Sequence, residues 1–250
     1  MTRWENEHSS LQKFVTNIHV LALWLAALVD TAASVMLMVY TSTFFGKLGL
    51  NQQENGFATA LPGFSYAFAK MGTGLAYDLI GTRISESVKI RFCTTTSLLV
   101  AACVLAVAAF TMSEENHTLA IVLQVIFQFC IGTNSGSYIK GSALLGGPFT
   151  FFVLGNVQLF KALSILIEPP LFSWMVPDNA LSQWKWFLLV HVFVLVVGWL
   201  AYFIFIKTTP PEFVTEAAAI QEKEELQRIR AVTGSLQTSK EDSSATLTRI

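Results

Sequence analysis

Lys70, Lys161, Asp30 and Glu168 each stand inside a long apolar run of the 250-residue chain. An ionised side chain in hydrocarbon is costly, so such groups turn toward a water-filled path, a partner charge or a bound ion. Lys70 precedes Asp78 by eight residues, about 12 Å of helix, part of which a lysine stem spans by snorkelling. It reads either as a cation lining an aqueous cavity that attracts an anionic substrate, or as a snorkelling or carboxylate-paired lysine that fixes packing. Lys161 and Glu168 lie seven residues apart. That spacing puts both near one helix face but about 10 Å apart along it, too far for direct pairing. Glu168 precedes Pro169 and Pro170, which remove backbone donors. It is a candidate to carry a proton or help hold a sodium ion, the alternative being an interfacial glutamate at a helix end. Asp30, near Thr31, Ser34 and Tyr40, reads as a second cation or proton site, or as one side of an interhelical hydrogen bond. His191 reads as a packed polar residue rather than a proton relay.

Polar, glycine-rich patches flank these charges. Gly132–Gly136 carries Asn134, and Gly155 precedes Asn156. Helices that move around a substrate path need such patches, although close helix packing favours the same residues. The candidate substrate-binding set is therefore Lys70, Lys161, Asn134 and Asn156, with Asp30 and Glu168 as coupling-ion candidates. Catalysis finds no support: there is no nucleophile elbow, no H-E-x-x-H and no phosphate-cradling glycine loop. Cys93, Cys103 and Cys130 are odd in number and sit in apolar runs, which excludes a disulfide scaffold. The expectation is no enzyme, no metal and no cofactor beyond a coupling sodium ion or proton.

The elements that position these residues follow from composition. Hydrophobic residues make up 53% and charged ones 13% of the chain, and mean hydropathy is +0.53. A soluble domain carries about twice that share of charge. The net charge of −1 gives no reason to expect nucleic acid. The bilayer is the expected partner. Apolar runs long enough to cross it, about 20 residues each, cover 14–45, 56–80, 90–112, 118–138, 149–176 and 186–206. The expected architecture is an all-α membrane protein of six transmembrane helices. Arg3, Lys13, Arg83, Lys89, Arg91, Lys140 and Lys207 fall on one side, against Lys47 and Lys185 on the other. The positive-inside rule then places both termini in the cytosol. The sequon at Asn116 falls on the opposite side, in a loop too short to favour glycosylation. The first run is too long for a cleavable signal peptide and acts as its own insertion signal. The expected organisation is a cytosolic segment over 1–13, a transmembrane domain over 14–207 and a cytosolic tail over 208–250. Within the tail, 217–230 suits a short helix, and the Ser/Thr-rich stretch from Thr233 suits disorder.

Between the second and third runs the chain reads Gly74-Leu-Ala-Tyr-Asp78-Leu-Ile-Gly81-Thr-Arg83. This resembles the cytoplasmic G-x-x-x-D-x-x-G-x-R loop of major facilitator superfamily transporters. There a carboxylate at a helix end forms a latch that breaks during alternating access. Further matches are Ala22-Leu-Trp24, Tyr40–Phe45, Asn55-Gly56-Phe57, Ala60-Leu61-Pro62, Lys70, Ile84–Arg91, Gly132-Thr-Asn134, Gly155-Asn156, Pro177-Asp178-Asn179 and Trp184. They resemble, in order, helices seven to twelve of the sodium/phosphate and organic anion cotransporter branch, which includes sialin-like and vesicular glutamate transporter-like proteins. The resemblance implies one half of a major facilitator fold, built of two inverted three-helix repeats. It also implies symport of a small anion, with a latch at Gly74, Asp78, Gly81 and Arg83, in the plasma membrane or an endomembrane vesicle or lysosome. The chain departs from the family in supplying six helices of twelve, in having no Lys or Arg between Lys13 and Lys47, and in placing Tyr77 where a small residue is usual. A missing N-terminal six-helix half or a second copy is therefore an expected partner. The competing reading is a truncated, non-transporting membrane partner or regulatory half-transporter.

Overall fold

A computed structural model of the chain describes residues 12–113 and 116–247. Residues 1–11, most of the expected N-terminal cytosolic segment, lie outside the described residues. The elements are α1 (Ile18–Lys47), α2 (Gln52–Ile80), α3 (Glu86–Thr111), α4 (His117–Gly132), α5 (Tyr138–Gly146), α6 (Thr150–Met175), α7 (Leu181–Phe205) and α8 (Glu212–Leu247). Four stretches are long and apolar enough to cross a membrane: Ile18–Lys47, Glu86–Thr111, His117–Met175 and Leu181–Phe205. The count differs from the six runs read in the sequence for two reasons. The fourth and fifth runs join in the 59-residue stretch His117–Met175, and α2, although 29 residues long, carries Gln52, Gln53, Glu54, Lys70 and Asp78.

Local chemistry sets the helix ends. Asn17 caps α1 by accepting the His19 amide at 2.9 Å. Asn51 and Glu54 form a reciprocal capping box on α2. Gly81 ends α2 at φ 52° and Gly147 ends α5 at φ 49°, left-handed conformations that glycine adopts without a Cβ penalty. The 59-residue stretch breaks where Thr133–Gly136 tightens to a 3-10 turn. Thr95–Val100 of α3 widens to a π-helical segment, and Trp199 of α7 donates from Nε1 to Thr95 Oγ1 there at 3.2 Å.

Helix α1 is the hub, packed on α6, α7, α2 and α5. Its most apolar stretch is 78% buried, as expected of a helix that is apolar on every side. The approach of α7 is close because Gly198 meets Val29: a Cβ on Gly198 would stand 2.3 Å from Val29 Cγ2. Helix α2 lies at the edge against α4. It turns Phe57, Phe64, Phe68, Met71, Leu75 and Leu79 outward, each largely exposed. An apolar surface of this extent is foreign to a water-soluble monomer and natural against lipid. The tail departs from its expected course. Instead of a short helix followed by disorder from Thr233, the backbone runs as one helix to Leu247. No proline follows Pro211, and Gly234 alone costs only about 1 kcal/mol of helix.

Candidate functional site

Asp30 sits in the middle of α1, 1% exposed. Its Oδ2 accepts from Asn134 Nδ2 at 2.7 Å and from Tyr138 Oη at 3.1 Å. Both donors come from the break between α4 and α5, because the 3-10 turn and the non-helical Ser137 at φ −100°, ψ −113° swing Asn134 and Tyr138 toward α1. Small neighbours make room: a Cβ on Gly136 would stand 2.6 Å from Cys93 Sγ. Asp30 Oδ1 and Asn134 Oδ1 are buried without a hydrogen-bond partner, which leaves one carboxylate oxygen and the neighbouring amide oxygen unpaired. Lys161 and Lys70 both act on the Asp30 carboxylate electrostatically. Lys70 is half-buried; its Nζ donates to Tyr66 Oη at 3.2 Å, and Ser135 beside Asn134 donates to the Lys70 carbonyl at 3.2 Å. Three of the expected residues, Asp30, Asn134 and Lys70, therefore lie at one break in the bundle. Asn156 does not join them; its Nδ2 bonds back to Phe152 O of its own helix at 2.9 Å.

A second polar node lies between α6 and α7. Glu168 and His191 are each 2% exposed. His191 Nε2 and Glu168 Oε1 stand 3.0 Å apart, and His191 Nδ1 lies 2.9 Å from Phe187 O. His191 is a packed polar residue, as expected, and its hydrogen-bond partner is Glu168. The sequence held a signal for this. Glu168 lies seven residues before the end of α6 and His191 ten residues into α7, so a tight hairpin brings them within about one turn of the same depth. Glu168 is buried by this contact, not placed at an interface. Around the node, Tyr40 stacks on Phe172 with ring centroids 3.8 Å apart, and Phe187 meets the His191 ring edge-on at 4.8 Å.

At the end of α2 the Gly74–Arg83 segment meets α5. Asp78 Oδ1 lies 3.7 Å from Lys140 Nζ, with 75% and 43% of the two side chains exposed, a pairing worth at most about 1 kcal/mol. Arg83 is exposed. The denser contacts belong to Tyr77, which the sequence reading treated only as a departure. Its hydroxyl donates to Glu86 Oε2, and its ring lies under Lys89 at 4.2 Å and Lys140 at 5.0 Å. Lys89 also donates to Glu86 Oε1 at 2.6 Å and to the Gly81 carbonyl at 2.9 Å. Asn116 stands exposed at the start of α4.

Membrane-length apolar helices around buried charges define a helical integral membrane protein. No family model matches the chain. It is similar to "Uncharacterized transporter slc-17.2" of Caenorhabditis elegans, 23% identical over 195 residues. The match covers 77% of this chain, and the chain spans 40% of that protein's length.

Proposed function

We propose that the chain moves a small anion, inorganic phosphate or an organic anion, across a membrane by alternating access, driven by a sodium or proton gradient. In this reading α1, α2, α3, the α4–α5 pair, α6 and α7 are six crossings. They form a C-terminal-type half of a major facilitator fold, with both termini in the cytosol. The observation that carries it is the buried Asp30 bonded to Asn134 at a broken helix, with Lys70 tied to the same break through its carbonyl and Ser135. The ammonium groups of Lys70 and Lys161 against one carboxylate leave a positive excess inside the bundle, which favours an anion there. Asp30 and Glu168 are the coupling-ion candidates. A cation or proton on Asp30 releases the lysines for the anion, which links the two cargoes through one electrostatic balance. The Gly74–Arg83 segment, with Asp78 held only loosely by Lys140, suits a latch that opens and closes at little cost.

The test is uptake of labelled phosphate by liposomes holding the purified chain, under sodium and proton gradients. Gradient-dependent uptake that falls at least tenfold in Lys70→Ala is the expected result; uptake unchanged by that substitution would sink the assignment of Lys70. The competing reading is a membrane partner without transport of its own. In that case the chain alone is inactive, and uptake returns when a six-helix N-terminal half or a tethered second copy is co-expressed.

A further inference from the structure

We propose that Glu168 and His191 form a site for one exchangeable proton, and that this proton, rather than sodium, is the coupling ion at Glu168. The inference deepens the transport reading above, although the proton site itself stands on geometry. A carbonyl oxygen only accepts, so the contact of His191 Nδ1 with Phe187 O at 2.9 Å fixes a hydrogen on Nδ1. The opposite ring nitrogen then faces Glu168 Oε1 at 3.0 Å with a single proton between them. Whether that proton rests on nitrogen, as imidazolium and carboxylate, or on oxygen, as imidazole and carboxylic acid, the pair is neutral. Removing it sets a lone pair on Nε2 against a carboxylate and leaves an uncompensated negative charge where both side chains are 3% exposed. Glu168 Oε2, buried without a partner, is the acceptor through which water reaches the pair once α6 and α7 part. Release is a plain proton transfer to that water, with only the shared O–H or N–H bond broken.

The surroundings suit a proton better than a metal cation. Among the described residues no cluster of three or more His, Cys, Asp or Glu gathers to hold a metal ion. One ring nitrogen and two carboxylate oxygens, with the Phe187 ring edge-on to His191, are a poor oxygen cage for sodium. The titratable and charged groups facing the node are few. From α1 come Tyr40, which feels the Glu168 charge, and Asp30, nearly three turns earlier. Lys161 lies two turns back on α6, Tyr138 of α5 is bonded to Asp30, and Lys185 stands at the start of α7. His191 is the hydrogen-bonded partner of Glu168.

The deciding experiment is a pH titration of the chain in lipid nanodiscs, labelled with nitrogen-15 histidine. The His191 signals are assigned as those lost in His191→Gln. Nδ1 is expected to stay protonated throughout, while Nε2 changes in one step; in Glu168→Gln that step shifts to at least tenfold weaker proton affinity. The Glu168 carboxyl band in infrared difference spectra is expected to move in His191→Gln, which keeps the question decidable if the glutamine variant folds poorly. A His191 signal that titrates identically with and without Glu168, or never exchanges a proton, would overturn the site. In liposomes with labelled phosphate, Glu168→Gln is expected to lose accumulation driven by a proton gradient. Accumulation that persists in Glu168→Gln overturns the coupling role. No flux in the unsubstituted chain counts against the transport reading alone, and the titration still decides the proton site.

Discussion

Asp30 holds two donors on one oxygen, and that arrangement makes it a structural hub as well as a charge. Asp30→Ala strands the Asn134 amide and the Tyr138 hydroxyl in a dry interior, and each unpaired group costs about 1–3 kcal/mol. Asp30→Asn keeps an acceptor of the same shape and loses only the charge-assisted share. Thermal unfolding in detergent, followed by tryptophan fluorescence, is expected to give a lower midpoint for the alanine variant than for the asparagine variant. Equal midpoints would mean that the two donors find other partners. The charge at position 30 was legible in the sequence because an aspartate in an apolar run has no cheap explanation. Its partners were not: Asn134 and Tyr138 lie 104 and 108 residues away, and only tertiary packing brings them within reach. Glu168 and His191 were half-legible, since their distances from one hairpin turn match while their chemistry alone does not announce a pair.

At the scale of elements, the glycines that read alike in the sequence divide into two kinds. Gly132 packs α4 directly against α2, where a Cβ would stand 2.6 Å from the Tyr66 carbonyl oxygen and 2.7 Å from Ala69 Cβ. Gly72 on α2 would meet nothing within 4 Å. The same substitution should therefore act with opposite signs. Gly132→Ala forces two backbones apart, an overpacking of about 1–3 kcal/mol. Gly72→Ala removes a flexible residue from a helix interior and gains about 1 kcal/mol. Unfolding midpoints of the two single variants check this; a Gly132→Ala protein as stable as the parent would disprove the close crossing. Most helix limits were legible, since α6 over Thr150–Met175 matches the apolar run at 149–176. The break at Thr133–Gly136 falls in the polar, glycine-rich patch that composition marks, but composition alone does not fix the 3-10 turn that interrupts the helix there.

For the whole molecule, burial radiates from α1 and reaches beyond the bundle into the tail. Val214 is 1% exposed, Phe213 packs edge-on against Phe14 with centroids 4.8 Å apart, and Phe14 also meets Phe149 at 5.5 Å. The tail thus begins as part of the folded body, and composition hid this because two apolar residues follow a proline pair that reads as a stop. Beyond the first turns, α8 exposes Leu226 and Ile229 and makes few contacts. A helix without a buried face draws little stability from tertiary packing. Two shortened chains separate the parts. Ending the chain after Ala219 keeps the Phe14–Phe213 contact and is expected to leave the unfolding midpoint of the detergent-solubilised protein unchanged. Ending it after Thr209 removes Phe213 and Val214 and lowers the midpoint, since burying a side chain of that size contributes about 1.5–3 kcal/mol at a water-facing boundary. Phe213→Ala in the full chain should reproduce part of the loss. A chain ended at Thr209 that unfolds at the same temperature as the parent would show that the aromatic cluster at this end of the bundle holds nothing in place.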